Sequence, residues 1–156
     1  MIVREHLYES KQVGTLYHIM DYQSLLFNLT NNKIGNGSDH KLSFTRSKNY
    51  LEIPNHISKN KILGRFTLDG NKMSEKYRIK PYKAYDNTLD PNVNEFEEQI
   101  IGIVKPLHVY LIKIEIFRET LFDMDDFQKK NKIENVISEY SNKYDINIEY
   151  INKIYF

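Results

Sequence analysis

The chain has 156 residues, with 22 Lys and Arg against 21 Asp and Glu and a formal net charge of +1; that length suits one domain, 1–156, and is too short for two. So balanced a charge argues against a protein that coats nucleic acid by neutralising many phosphates. The lack of cysteine excludes a disulfide scaffold, a thiolate zinc site and a cysteine nucleophile. A hydrophobic fraction of 40% beside 28% charged residues belongs to a folded globular chain. No apolar run approaches the roughly 20 residues that cross a bilayer. Arg4 and Glu5 bring charge too early for a signal peptide, so a soluble, cytoplasmic protein is expected.

Residues 13–20 are short and β-prone and predict a first strand. Asp21 is placed to cap a helix in which Leu25, Leu26 and Leu29 recur at helical spacing. Asn31, Asn32, Gly35 and Gly37 end it, as C-cap and turn chemistry would. Residues 41–46 predict a second strand and 62–68 a third, closed by a turn at Asp69-Gly70. One or two helical turns are expected over 72–77, then a long surface loop over 79–94. Residues 95–103 start acidic and become apolar. Residues 107–117, with Ile112, Ile114 and Ile116 alternating, predict a central, largely buried strand. Asp123, Asp125 and Asp126 open a helix running to about Tyr140, since acidic residues favour the positive end of a helix dipole. A last strand is expected over 145–150. Strands and helices mix without a regular βαβ rhythm, so the predicted class is α+β.

The sequence holds no P-loop, G-x-G-x-x-G, H-E-x-x-H or G-x-S-x-G. Three short polar islands stand out at strands: Tyr17-His18, Ser43-Phe44-Thr45-Arg46 and Glu95-Phe96-Glu97-Glu98. In that order they resemble the His, Ser/Thr and Glu elements of the ADP-ribosyltransferase superfamily. With residues 68–74, 77–82 and 97–100 added, the pattern over about 14–117 resembles a family of small, mostly bacteriophage-encoded proteins of that fold. The resemblance implies a split mixed β-sheet core flanked by helices, NAD as cofactor, and transfer of ADP-ribose to a host protein or nucleic acid in the host bacterial cytoplasm.

It also implies roles. Glu98, with Glu97 as the other candidate, would stabilise the positive charge that develops on the ribose as the nicotinamide bond breaks; neighbours on a strand point to opposite faces, so only one of the two should face the cleft. His18 would hydrogen-bond a ribose hydroxyl, with Tyr17 beside it. Ser43 and Thr45 would support the nicotinamide half. Arg46 suits a phosphate, because a guanidinium grips oxygens in pairs. Tyr22 or Tyr50 would stack on the nicotinamide ring. Each has a plainer reading too: His18 as a hydrogen-bonded core residue, Arg46 as a solvated charge, the glutamates as an acidic helix start.

Two other functions compete. One is a binding module that has lost catalysis and inhibits a host or defence protein, suggested by the absence of a clear Ser-Thr-Ser block. The other is a metal-dependent nuclease using Asp69, Glu97 and Glu98. His6, His40, His56 and His108 lack ligand spacing, so no metal site is expected. Lys76, Arg78, Lys80 and Lys83, interleaved with Tyr77, Tyr82 and Tyr85, offer either a nucleic-acid or protein-substrate surface or a solvated flank.

Overall fold

In the computed structural model, which describes residues 14–35, 41–46, 61–81 and 97–152, seven strands among those residues form one sheet. They are β1 (Thr15–Met20), β2 (Lys41–Thr45), β3 (Gly64–Asp69), β4 (Lys80–Pro81), β5 (Glu97–Ile101), β6 (Leu111–Phe117) and β7 (Asn147–Ile151). The spatial order is β4-β5-β2-β1-β3-β6-β7. Every pairing is antiparallel except that of β6 with β7. A parallel pair cannot be joined by a tight turn, and here two helices intervene, α3 (Arg118–Phe122) and α4 (Phe127–Tyr144). The helices α1 (Tyr22–Asn31) and α2 (Gly70–Ser74) complete the mixed α+β domain.

Alternation along the strands sorts side chains onto two faces. Leu16, Met20, Phe44, Phe66, Leu68, Ile114 and Ile116 are buried on one, beneath Leu25 and Leu29 of α1 and Ile133, Ile137 and Tyr140 of α4. Each such apolar side chain contributes about 1.5–3 kcal/mol by leaving water. Helix α1 lies so close to β3 that a Cβ at Gly64 would meet Leu25 Cδ2 at 3.1 Å and the Glu115 carbonyl oxygen at 3.3 Å. The opposite face carries a smaller cluster, Ile62 and Phe117 with Ile19 and Ile151 packed on it.

Local chemistry sets the helix ends. The Asp21 carboxylate accepts from the Ser24 amide at 2.9 Å, and Asn32 closes α1 in the left-handed region at φ 51°. Asp126 accepts from the Gln128 and Lys129 amides and so starts α4, while Asp145 ends it at φ 55°.

Several sequence expectations need correction. Asp69-Gly70 is not a simple turn: Asp69 accepts from the Lys72 amide at 3.1 Å and caps α2, which begins at Gly70. Lys80–Pro81 within the expected loop forms β4 against Gln99 and Glu98 of β5; residues 82–94 of that loop lie outside the described residues. Leu107–Val109 is a 3-10 turn rather than strand. The register against β3 shifts, Thr67 pairing with Lys113 but Leu68 with Leu111, which leaves Ile112 as the extra residue of a bulge. Ile112 is accordingly 50% exposed, and its neighbour Leu111 turns into the core. The acidic stretch 123–126 precedes α4 rather than forming its first turn, and α3 occupies residues not expected to be helical.

Candidate functional site

β1 occupies the middle of the sheet, and His18 sits at its centre between Phe44 of β2 and Phe66 of β3. Its ring centroid is 5.2 Å from that of Phe44. Nδ1 lies 2.9 Å from the Ser43 carbonyl oxygen. A carbonyl only accepts, so Nδ1 carries the proton and Nε2 is left as a lone-pair acceptor. Burial holds the imidazole below its ordinary value of 6.5, against the opposing pull of the Ser43 carbonyl; the neutral ring is therefore the resting form.

His18 lines an open cleft of about 410 Å³ between the sheet and α1. Gln23, Ser24, Phe27 and Asn28 form the helix side, and Ile34, Gly35 and Leu42 close the end. None of these described lining residues carries a formal charge, the imidazole resting neutral. Asn28 is 4% exposed, and its Nδ2 donates to the Met20 sulfur at 3.3 Å. A thioether is a weak acceptor, and no other partner of the Asn28 carboxamide is found among the described residues.

The candidate residues divide by face. Tyr17 pairs with Thr45, and cross-strand partners share a face, so both lie on the side of the sheet away from His18. Ser43 belongs to that side as well and meets His18 through its backbone carbonyl alone. Arg46 follows β2 directly and is half-buried. Glu98 of β5 is in register with Phe44, and Glu97 with Thr45. His18, Phe44 and Glu98 thus mark one row across three adjacent strands, while Tyr17, Thr45 and Glu97 mark the next. Tyr22 lines a separate hollow of about 400 Å³ with Asp21, Asp126 and Lys129, the Lys129 ammonium 5.6 Å from its ring centroid. Tyr50 lies outside the described residues.

Asp69, at the end of β3, pairs with Thr15 and stands three strands from β5, so it is not gathered with the glutamates as a nuclease would need. Among the described residues no group of three or more His, Asp or Glu is placed to hold a metal ion. Of the basic and tyrosine-rich stretch, Tyr77 does structural service: its hydroxyl donates to the Lys105 carbonyl at 2.9 Å and accepts from the Lys105 amide at 2.8 Å. Lys76 reaches the same carbonyl at 3.1 Å. Lys83, Tyr82 and Tyr85 lie outside the described residues. No helix among the described residues is long and apolar enough to cross a membrane.

Two features were missed in the sequence. On the face away from His18, Arg65 Nε and Nη2 donate to Glu115 Oε1 and Oε2 at 3.0 and 2.7 Å, with both side chains buried. Thr67 donates to Oε1 at 3.3 Å, and the guanidinium lies 5.7 and 5.5 Å from the Tyr17 and Phe117 ring centroids. The other is a junction at the end of α1. The Asn32 carboxamide meets His108 Nδ1 at 2.8 Å, while its oxygen accepts from the His108 amide at 3.1 Å and from the Tyr140 hydroxyl at 2.5 Å. Burial, with Tyr144 adding to it, pushes the Tyr140 phenol up, so it stays a donor.

Against known proteins, no family model and no curated relative matches this sequence.

Proposed function

We propose that the chain is an NAD-using ADP-ribosyltransferase in which His18 and Glu98 are the working pair, acting on a protein or nucleic acid of a bacterial host. The observation that carries this reading is the row His18–Phe44–Glu98, one end of which opens on the cleft beside α1. Neighbouring strands lie about 4.8 Å apart, so the two backbones stand roughly 10 Å from each other, a span suited to a dinucleotide rather than a single small group.

The residues present fit such a ligand. Nε2 of His18 is an acceptor for a sugar hydroxyl, and the described part of the lining, uncharged, suits a nucleoside half more than a phosphate. NAD, when bound, supplies the bond between ribose and nicotinamide. Glu98 offers the carboxylate that favours positive charge as that bond opens, and Glu97, one register step away, is the other candidate. Arg46, just beyond the row, is the cation for a phosphate.

The test is melting temperature with and without NAD, followed by nicotinamide release. At NAD 100-fold above Kd the native state gains about 2.7 kcal/mol, which for a chain of this size is roughly 8 °C. His18→Ala should abolish the shift, and Glu98→Gln should abolish release while the shift persists. Full release by the Glu97→Gln, Glu98→Gln double variant, or no shift in the unaltered protein, refutes the proposal.

One observation favours a second reading. Thr45 shares a face with Tyr17 and not with His18, which separates two elements that an active enzyme of this type would combine. A catalytically inactive module that blocks a host or defence protein accommodates that separation. A stable complex with one protein, in the absence of nicotinamide release, distinguishes it.

A further inference from the structure

Asn28 is a nearly buried polar side chain in the lining of the His18 cleft. It belongs to the stripe of α1 that packs on the sheet, between Leu25 and Leu29, and is buried as they are. A buried carboxamide loses free energy unless its hydrogen bonds are replaced. Here one N–H meets a methionine sulfur at 3.3 Å, and the oxygen has no protein partner among the described residues. Asn28 also lines the cleft. Its carboxamide therefore stands in the wall of the same space that His18 lines. Whichever way the carboxamide is turned, one end meets the thioether and the other is free.

A leucine at position 28 would satisfy the packing of α1 without this loss. Packing of α1 on the sheet does not by itself call for a carboxamide at this position. The cleft offers an acceptor at His18 Nε2, a carboxamide that both donates and accepts at Asn28, and the ring of Phe27 beside it. The described residues of the lining carry no charge that would draw a phosphate or carboxylate there.

We infer that Asn28 is a specificity-determining residue that reads, by a pair of hydrogen bonds, the edge of a planar ring group that carries a donor beside an acceptor, borne on a nucleoside whose sugar hydroxyl meets His18. This deepens the NAD reading and rests on it for the natural ligand. Adenosine and nicotinamide riboside both carry such an edge, on the base in one and on the carboxamide in the other, and serve as the two probes.

The experiment measures the melting temperature of the unaltered chain and of Asn28→Leu, each alone and with millimolar adenosine, nicotinamide riboside or inorganic phosphate, and measures KM for nicotinamide release from NAD. One nucleoside should raise the melting temperature of the unaltered chain, and phosphate should not; which nucleoside does so identifies the half that is read. Asn28→Leu should bind that nucleoside about tenfold more weakly, yet melt no lower than the unaltered chain when ligand-free. Asn28→Ala carries the same binding comparison with a smaller side chain. Unchanged nucleoside affinity in both variants overturns the inference, as does a response to phosphate alone. Nicotinamide release with an unchanged KM in Asn28→Leu also overturns it while leaving the enzyme intact. An Asn28-dependent nucleoside shift without nicotinamide release sustains the inference and ends the enzyme reading.

Discussion

Replacing Arg65 by methionine while Glu115 remains takes from a buried carboxylate the guanidinium that donates to both its oxygens. The geometry makes this a severe change. Both oxygens of Glu115 accept from the guanidinium, at 3.0 and 2.7 Å, and the two side chains are only 6% and 3% exposed. Thr67 alone of the hydrogen bonds described above still reaches the carboxylate, at a long 3.3 Å. Breaking one side of such a pair costs about 3–5 kcal/mol. An unfolding entropy of about 2.1 cal/mol/K per residue gives about 0.33 kcal/mol per degree for this length, so the melting temperature should fall by roughly 9–15 °C. Replacing both partners, Arg65→Met with Glu115→Leu, removes the buried carboxylate as well, and such double replacements are often close to neutral. Urea denaturation followed by far-ultraviolet circular dichroism measures all four corners of the cycle, provided the m-values agree. A loss below about 1 kcal/mol in Arg65→Met, or a double variant as unstable as the two single losses added together, would refute the reasoning.

His18 and Asn32 give two more predictions. The folded-state value of His18 is lowered, so between that value and 6.5 the unfolded chain binds a proton that the folded chain does not; the stabilisation is full above 6.5 and is lost as pH falls toward the folded value. His18→Phe should flatten this part of the stability profile, measured by urea melts between about pH 7 and pH 5; parallel profiles would contradict it. At Asn32, φ is 51° and the side chain joins His108 and Tyr140. Asn32→Gly should lose only the side-chain bonds, whereas Asn32→Ala should lose about 1 kcal/mol more through the left-handed backbone; equal losses in urea melts would show that the backbone is not at issue.

The elements most legible in the sequence were those fixed by neighbours. Asp21, Leu25, Leu29 and Asn32 specify α1 and both its ends within a dozen residues, and short β-prone runs bounded by turn residues located β1, β2 and β3 to within a residue or two. What escaped depends on register between distant strands. Arg65 and Glu115 are 50 residues apart, and each taken singly looks like an outward-facing charge on a strand. Only the β3–β6 pairing brings them together, and the same pairing hides the bulge that displaces Ile112. His18 was visible as a histidine in an apolar strand, but its tautomer depends on the Ser43 carbonyl of another strand. That Thr45 lies on the other face follows from a single pairing, Tyr17 with Thr45, which spacing could not supply. Asn28 did leave a signal. It sits three residues after Leu25 and one before Leu29, a polar residue in an apolar stripe, and such a residue asks for a partner.

The central position of β1 has a consequence for how the protein is made. Its strand emerges from the ribosome before any of its neighbours, and about 50 residues must follow before β3, its most extensive partner, is available. At roughly 5–20 residues per second that is a wait of several seconds, during which Leu16, His18 and Met20 have α1 and then β2 to shelter against, but not β3. Swapping the codons that encode the stretch between β2 and β3 for slower ones would lengthen this wait without altering one atom of the product. The yield of folded protein, rather than its stability once folded, is where the cost of threading a sheet from its middle outward should be felt.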